Sequence, residues 1–201
     1  SAKQAYIVIL IYVFMKKILL LTLPFFLFVA ASKDLGTENI GLISSQILTE
    51  EDRILSLKVH NDARKEVGVS ELSWSNALAA DALVWAKNLA LKDKMYHSSN
   101  ESRPEQGENL AYSFSSTNGV PTFSKTPGKE ASIRWYNEIK DYTYAEIGSS
   151  KNADVVIGHY TQMVWSTTKT VGMAQARSAT GNVYVVARYG PPGNWVGKHP
   201  Y

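Results

Sequence analysis

The sequence contains no cysteine among its 201 residues. This absence excludes a disulfide scaffold, a thiolate metal cluster and a cysteine nucleophile. The body of the chain also lacks an excess of one charge. Of the 21 basic side chains three lie in residues 1–31, where there is no acid, so 18 basic and 18 acidic side chains remain beyond residue 31. A nucleic-acid surface needs clustered lysine and arginine, so we expect no nucleic-acid partner.

Motifs of several enzyme classes are missing as well. The sequence has no G-x-S-x-G elbow, no H-E-x-x-H helix, no P-loop and no G-x-G-x-x-G turn. These absences weaken assignments as a hydrolase, a zincin, or a nucleotide- or dinucleotide-binding enzyme. The four histidines are His60, His97, His159 and His199, and none stands at helical spacing from another. A site that uses two of them must therefore be assembled by the fold.

The N-terminal segment has the pattern of a secretory signal peptide. Met15 and two lysines precede an apolar run from Ile18 to Ala31 that ends in small residues. We therefore expect translation to start at Met15, cleavage after Ala31, and residues 1–14 to be an upstream segment. The alternative is one membrane anchor over residues 5–31, which would place both lysines in mid-span at a cost of about 2.5–3.5 kcal/mol each. We expect a secreted protein, periplasmic or cell-surface in a Gram-negative host, with no stable membrane anchor after cleavage.

The remaining chain has the length and the composition of one globular domain. Residues 32–48 have a mixed, largely polar composition and are predicted to be a linker. Residues 49–201 are predicted to be the domain. Three local patterns each indicate a helix: acids follow the capping Thr49, an apolar stripe runs from Leu78 to Leu89, and Thr126 is predicted to cap a helix that has Pro127 in its first turn. The three helices are predicted from Thr49 to about Glu66, from about Ser75 to Lys92, and from Thr126 to about Lys140.

Strand patterns lie between and after these helices. Residues 107–114 are a strand candidate, and residues 170–177 and 182–189 flank a short glycine-containing loop, as in a β-hairpin. The second hairpin strand is apolar on both faces, with Val183, Val185 and Ala187 on one and Tyr184 and Val186 on the other. Such a strand is covered on both faces. We therefore predict an α+β fold, a three-layer α-β-α sandwich around a central antiparallel sheet.

Four side chains far apart in sequence could carry chemistry, although each has a plain structural explanation. His97 could interact with a helix end, Glu108 could accept from backbone donors, and His159 could cap a turn. Glu138 stands four residues after Arg134, a spacing that permits a surface ion pair. From the residues alone, the structural explanations and a joint histidine–glutamate site both stay open.

Six stretches follow the order of one family's motifs. Gly158-His159-Tyr160-Thr161-Gln162 with Trp165 and the C-terminal Tyr189–Trp195 are the most specific. The other four are His60-Asn61 with Arg64, Leu72-Ser73-Trp74 with Trp85-Ala86, Gly107-Glu108-Asn109-Leu110, and Trp135-Tyr136-Asn137-Glu138. Over about residues 54–195 the chain resembles the CAP superfamily (cysteine-rich secretory proteins, antigen 5, pathogenesis-related 1; the SCP domain). The cysteine-free body is most similar to bacterial members or to the Golgi-associated pathogenesis-related subgroup, whose Met-Gly myristoylation start is missing here.

The resemblance implies a central cleft in which His97, Glu108, Glu138 and His159 meet. It also implies that His97 and His159 are metal ligands for a divalent cation, often zinc. Two protein ligands leave coordination positions open, so we expect weak and exchangeable binding. The carboxylates would orient the imidazoles through their second ring nitrogen. His60, Asn61 and the tryptophans Trp74, Trp85, Trp135 and Trp165 are predicted to pack in the core.

Three functions are compatible with this resemblance. We rank a non-enzymatic secreted binding protein with a cation-binding cleft first. Binding or export of a sterol or fatty acid, through the loop Ser113–Gly128 or a groove between helices, comes second. A hydrolase with His97 or His159 as general base, oriented by a glutamate, comes third, with Ser98 or Ser99 as the nearest nucleophiles and no motif that activates either. The expected partner is a sterol or fatty acid, or an extracellular protein, and no catalytic residue is assigned.

Overall fold

The computed structural model describes residues 42–201 of the chain. The predicted signal peptide, its upstream segment and residues 32–41 of the predicted linker lie outside these residues. Within residues 42–201, no helix is long and apolar enough to cross a membrane.

The described residues form seven strands, four α-helices and three short 3₁₀ turns. The strands are β1 (Leu42–Ile47), β2 (Ser73–Trp74), β3 (Gly107–Ser113), β4 (Ser116–Thr117), β5 (Val120–Pro121), β6 (Thr170–Ser178) and β7 (Val183–Gly190). The α-helices are α1 (Glu50–Glu66), α2 (Asn76–Lys92), α3 (Pro127–Tyr136) and α4 (Gly158–Met163). Short 3₁₀ turns cover Asn100–Ser102, Asn137–Lys140 and Ser150–Asn152. The third predicted helix therefore ends in a 3₁₀ turn, and the other predicted boundaries agree to within one residue.

The main sheet has five strands in the order β1-β6-β7-β3, with β2 beside the first residues of β6. All pairs are antiparallel except the short parallel pair of β2 and β6. β1 corrects the linker prediction, because residues 42–47 pair with β6, for example Gln46 with Gln175. The polar segment LISSQI becomes a strand because it binds backbone groups of β6 that β7 does not reach.

Each face of the sheet carries its own helical layer. Val183, Val185 and Ala187 of β7 pack in a core cluster with residues of α1, α3 and α4. Tyr184 and Val186 pack on the opposite face in a cluster with α2. All five side chains are buried. The predicted three-layer α-β-α sandwich with a central antiparallel sheet is therefore confirmed.

Small residues bring α2 very close to the sheet. Its buried face consists largely of alanines, and the sheet opposes it with Gly172 of β6. A Cβ at Gly172 would stand 2.2 Å from the backbone nitrogen of Ala79 and 2.5 Å from the carbonyl oxygen of Ser75. Trp135 and Trp165 are buried as predicted. Trp74 and Trp85 are only half-buried, because each packs against the outside of a core cluster, Trp74 on the side of α1, α3 and α4 and Trp85 on the side of α2.

Two buried charged side chains stabilise the layer that contains α1, α3 and α4. The Arg64 guanidinium is fully buried and donates to the carbonyl oxygens of Met163, Trp165 and Thr168 at 2.9–3.0 Å. The carboxylate of Asp52 in α1 accepts from the backbone N–H groups of Gly128 and Lys129, at 2.9 and 2.8 Å. Asp52 thus caps the start of α3.

The capping role of Asp52 corrects one sequence prediction. Thr126 does precede α3, and Pro127 occupies its first turn, but the Thr126 side chain makes no capping hydrogen bond. A carboxylate from a neighbouring helix occupies that position instead and satisfies two backbone donors at once. Burial nevertheless raises the pKa of Asp52, although the hydrogen bonds it accepts from Lys129, Gly128 and Ser56 act in the opposite direction.

Candidate functional site

One open cleft of about 360 Å³ is lined by His97, Glu108 and His159 together with Asn109 and Asn194. His97 lies in the segment between α2 and β3, Glu108 is the second residue of β3, and His159 is the second residue of α4. Three of the four predicted site residues therefore line the same cleft. The fourth, Glu138, lies in the 3₁₀ turn after α3 and reaches the site through His159.

His97 and Glu108 form the first histidine–carboxylate pair. The His97 Nδ1 atom lies 2.7 Å from Oε1 of Glu108. Ser98 fixes the same carboxylate, its backbone N–H donating to Oε1 at 3.0 Å and its hydroxyl donating to Oε2 at 2.8 Å. The Glu108 side chain is fully buried, whereas that of His97 is 57% exposed. A rigid carboxylate thus holds an imidazole that solvent can reach.

The negative charge of Glu108 has a buried counter-ion. Nη2 of Arg188 in β7 lies 3.1 Å from Oε2 of Glu108, and Arg188 is itself buried. Burial alone would raise the pKa of Glu108. The hydrogen bonds from His97 and Ser98 and the charge of Arg188 outweigh it, so this pKa lies below its ordinary value. Glu108 is therefore an ionised acceptor at neutral pH.

His159 and Glu138 form the second pair. The His159 Nδ1 atom lies 2.5 Å from Oε1 of Glu138. Oε2 of Glu138 accepts from the backbone N–H groups of His159 and Tyr160 at 2.9 and 3.0 Å, so this carboxylate also caps α4. The Trp135 ring lies nearly parallel to the His159 ring, with centroids 6.0 Å apart. Among the described residues Glu138 makes no ion pair with Arg134, the alternative that the sequence left open.

The two pairs leave the same ring nitrogen of each histidine available. Each Nδ1 is engaged by a carboxylate, and no described residue forms a hydrogen bond with either Nε2. An imidazole that donates Nδ1–H to a carboxylate carries its lone pair on Nε2, where it can bind a metal ion. Within residues 42–201, no group of three or more His, Asp or Glu side chains is arranged to bind a metal ion. The donor set here is limited to two imidazoles.

A buried hydrogen-bond chain supports the cleft from below. Nδ2 of Asn109 donates to the carbonyl oxygen of His159 at 3.0 Å and to the hydroxyl oxygen of Tyr189 at 3.1 Å. The Tyr189 hydroxyl lies 2.8 Å from Nε2 of His60, whose Nδ1 lies 2.9 Å from the carbonyl oxygen of Ser56. His60 is fully buried, and this burial lowers its pKa to about 4. His60 is therefore a neutral core residue, in line with its prediction as a packing residue.

Sequence reasoning missed three residues of the site. Arg188 is the most visible omission, because a charged residue inside the apolar stretch NVYVVARY is a signal for a buried partner. Asn109 follows Glu108 directly, yet only the pairing of β3 with β7 brings it to Tyr189. Asn194 donates to the carbonyl oxygen of Gly158 at 2.8 Å and joins the C-terminal motif to α4, which no pattern in the sequence indicates.

Comparisons with known proteins give one consistent family. The profile described as "Cysteine-rich secretory protein family", abbreviated CAP, matches residues 57–189. The chain is 37% identical over 142 residues to the human Golgi-associated plant pathogenesis-related protein 1, covering 71% of this chain and 84% of that protein.

Two solved structures resemble this fold. Na-ASP-1 superposes with a TM-score of 0.66 at 28% identity over 79% of this chain, which spans only 43% of Na-ASP-1. NaASP2, whose crystal structure was determined with Zn²⁺, superposes with a TM-score of 0.64 at 25% identity, covering 77% of this chain and 86% of that one.

Proposed function

Because this chain belongs to the CAP family of cysteine-rich secretory proteins, we propose that it is a secreted binding protein whose cleft binds a divalent cation. The cation is zinc or an ion of similar chemistry, bound through Nε2 of His97 and Nε2 of His159. The single observation that carries this proposal is the pairing of each Nδ1 atom with a carboxylate at 2.5–2.7 Å. That pairing fixes the ring orientation and the tautomer that zinc-binding histidines have.

The charges around the cleft are compatible with a cation. Arg188 balances Glu108, whereas the Glu138 carboxylate accepts from two backbone N–H groups at the start of α4. Arg103 also lines the cleft, so two arginines balance two glutamates and the site has no net charge when both imidazoles are neutral. A site without net charge does not repel a cation, and the attraction for the metal comes from the two Nε2 lone pairs. The determination of the NaASP2 structure with Zn²⁺ supports the choice of metal.

The proposed site is weak and open. Zinc prefers four ligands, and two imidazoles leave the other positions for water or for a ligand of the protein. The metal would supply a Lewis-acidic centre at which an anionic or carbonyl group of a partner can bind. The residues of this chain hold the imidazoles in place, and His97, which is more than half exposed, allows the cation to exchange with solvent.

Isothermal titration with zinc chloride tests this function. We expect saturable binding of one zinc ion by the wild type and no binding by the His97→Ala/His159→Ala double variant. His199→Ala is the matched control, because His199 is exposed and packs on Tyr144 rather than lining the cleft. Glu138→Gln should weaken zinc binding by roughly 10–100-fold, because it removes the carboxylate that orients His159. Equal affinity in the double variant and the wild type would refute the site.

One observation favours sterol or fatty-acid binding as a second function. The loop Ser113–Gly128 contains the β4–β5 hairpin, and Phe114 and Val120 are both more than half exposed there, next to the exposed Tyr112 at the end of β3. Exposed apolar side chains that cluster on a loop are typical of contact with an apolar ligand or surface. Radiolabelled cholesterol or oleate that binds the wild type, but not a Phe114→Ser/Val120→Ser variant, would establish it.

The geometry around Ser98 does not support a hydrolase. The Ser98 hydroxyl is buried and donates to Oε2 of Glu108 rather than to His97 or His159, so neither candidate base is in position to take its proton. The Ser99 hydroxyl accepts from the backbone N–H of Ser102, as a cap of the 3₁₀ turn. Both serines therefore have positioning roles, and we propose no catalytic step.

A further inference from the structure

A second cavity of about 520 Å³ lies at the far end of β6 and shares no lining residue with the histidine cleft. It forms where the side chains on the α1-facing side of β6 change from apolar to polar. Val171 and Met173 belong to the core cluster on that face, and the next residues of the same row are Gln175 and Arg177. The start of α1 and the segment Phe123–Lys125 complete the walls. An apolar row thus ends in two polar side chains that border an open volume.

Gln175 is the most unusual residue of this cavity. It is only 4% exposed, and its Oε1 atom is buried without a hydrogen-bond partner among the described residues. Its cross-strand neighbours are Gln46 of β1 and Val185 of β7. Buried amides are almost always satisfied in folded proteins. An unsatisfied amide that lines a cavity indicates a partner supplied from outside the chain.

Arg177 adds an unbalanced positive charge to the same wall. Its guanidinium lies over the Phe123 ring at 4.2 Å, and its Nε atom is buried without a partner. No described carboxylate forms an ion pair with it. Stacking on an aromatic face leaves the N–H edge of a guanidinium free for a planar anion, and a carboxylate matches that edge with two parallel hydrogen bonds.

The other wall is acidic. Glu50 and Glu51 stand at the start of α1, where Glu50 is paired with Arg53 and Glu51 forms no ion pair among the described residues. The cavity therefore presents the Arg177 guanidinium, the Lys125 ammonium group and the Glu51 carboxylate to whatever enters it, with the Gln175 amide buried in its wall. A simple anion would use only the cationic groups, whereas a zwitterion would use both signs of charge.

We propose that this cavity binds a small zwitterion, namely a free amino acid or a short peptide. Its carboxylate pairs with Arg177, a neighbouring N–H donates to Oε1 of Gln175, and its ammonium group faces Glu51. This site is independent of the cation proposed for the histidine cleft, so either proposal can fail without the other.

Titration of the ¹⁵N-labelled protein with glycylglycine tests the proposal by NMR. We expect saturable shifts of the amides of residues 175–177 and 50–51. N-acetylglycine lacks the ammonium group and glycinamide lacks the carboxylate, so each should bind about tenfold more weakly or worse, because one charge-assisted interaction is lost. Glycylglycine that gives no saturable shifts at these amides, or N-acetylglycine that binds equally well, overturns the proposal.

Two variants separate a ligand-binding role from a structural one. Gln175→Met keeps the volume but removes the amide, and Arg177→Met removes the guanidinium. Each should weaken glycylglycine binding about tenfold or more, whereas the exposed Lys87→Ala on α2 should have no effect. Gln175→Met should melt no lower than the wild type, because the orphaned amide is gone. A lower melting temperature combined with unchanged glycylglycine affinity would show that Gln175 is structural and would refute the site.

Discussion

The buried His60 connects the stability of this protein to pH. Its Nδ1–H donates to the Ser56 carbonyl at 2.9 Å, and its Nε2 accepts from the Tyr189 hydroxyl at 2.8 Å. Burial, and to a smaller degree the nearby charge of Arg64, lower the pKa of His60 from 6.5 to about 4, although the bond to Ser56 acts in the opposite direction. The unfolded chain therefore takes up a proton on this histidine at a higher pH than the folded protein does.

The sign and the size of the effect follow from this difference. The stability that the folded protein gains from a neutral His60 is fully present above pH 6.5. It is lost as the pH falls from 6.5 to about 4, because the unfolded chain is then protonated at this histidine and the folded protein is not. Each unit of difference between the folded and the unfolded pKa corresponds to about 1.4 kcal/mol of unfolding free energy. The lowered pKa of His60 should therefore remove roughly 3 kcal/mol of stability by pH 4. This is a large fraction of the 5–15 kcal/mol, in rough terms, that stabilises a typical domain.

Urea unfolding of the wild type and of His60→Gln measures this contribution. Both proteins are unfolded at several pH values from 7 to 4 in the presence of a chelator, so that zinc does not contribute. The variant is less stable at pH 7, but the difference between the two proteins isolates His60, because all other titrating groups are shared. We expect that difference to shrink by about 3 kcal/mol between pH 7 and pH 4. Parallel stability profiles for the two proteins would refute the reasoning.

Two further predictions concern packing contacts, one between helices α1 and α3 and one between α2 and the sheet. Asp52→Ala should lower the unfolding free energy by about 1–3 kcal/mol, because two backbone donors of α3 lose their acceptor, whereas Thr126→Ala should change it by less than about 0.5 kcal/mol. Urea denaturation compares the two, and an equal cost would show that Thr126 is the effective cap. Gly172→Ala should cost roughly 3 kcal/mol or more, because its Cβ meets the backbone of α2, while Gly158→Ala meets only Asn194 at 3.9 Å and should be near neutral. Melting curves that coincide for these two glycine variants would contradict the close approach of α2 to β6.

Much of the fold could be predicted from local patterns. The capping Thr49, the apolar stripe of α2 and the two-faced apolar strand β7 each reflect interactions between residues near in sequence, so their periods are visible without the fold. β1 was missed because its six residues have no strong pattern. They form a strand only because β6 offers its edge.

Part of the candidate site could also be predicted, but from the family motifs rather than from local sequence patterns. His97, Glu108, Glu138 and His159 have no mutual spacing that identifies them, and the expectation that they come together depended on the family motifs. The structure adds how they pair: His97 with Glu108 and His159 with Glu138, each through Nδ1. It also adds Arg188, which is 80 residues from Glu108 in sequence and next to it across β3 and β7.

Local patterns predicted three helices, the C-terminal hairpin and the two apolar faces of β7, and the lack of cysteine excluded thiol chemistry, because composition and periodicity can be read from neighbouring residues. The packed fold was needed to show that Asp52 caps α3, that His60 is held neutral beneath the cleft, and that Oε1 of Gln175 has no hydrogen-bond partner in the described part of the chain. Those outcomes depend on burial and on contacts between residues that are distant in the chain, and both arise only when the layers pack together.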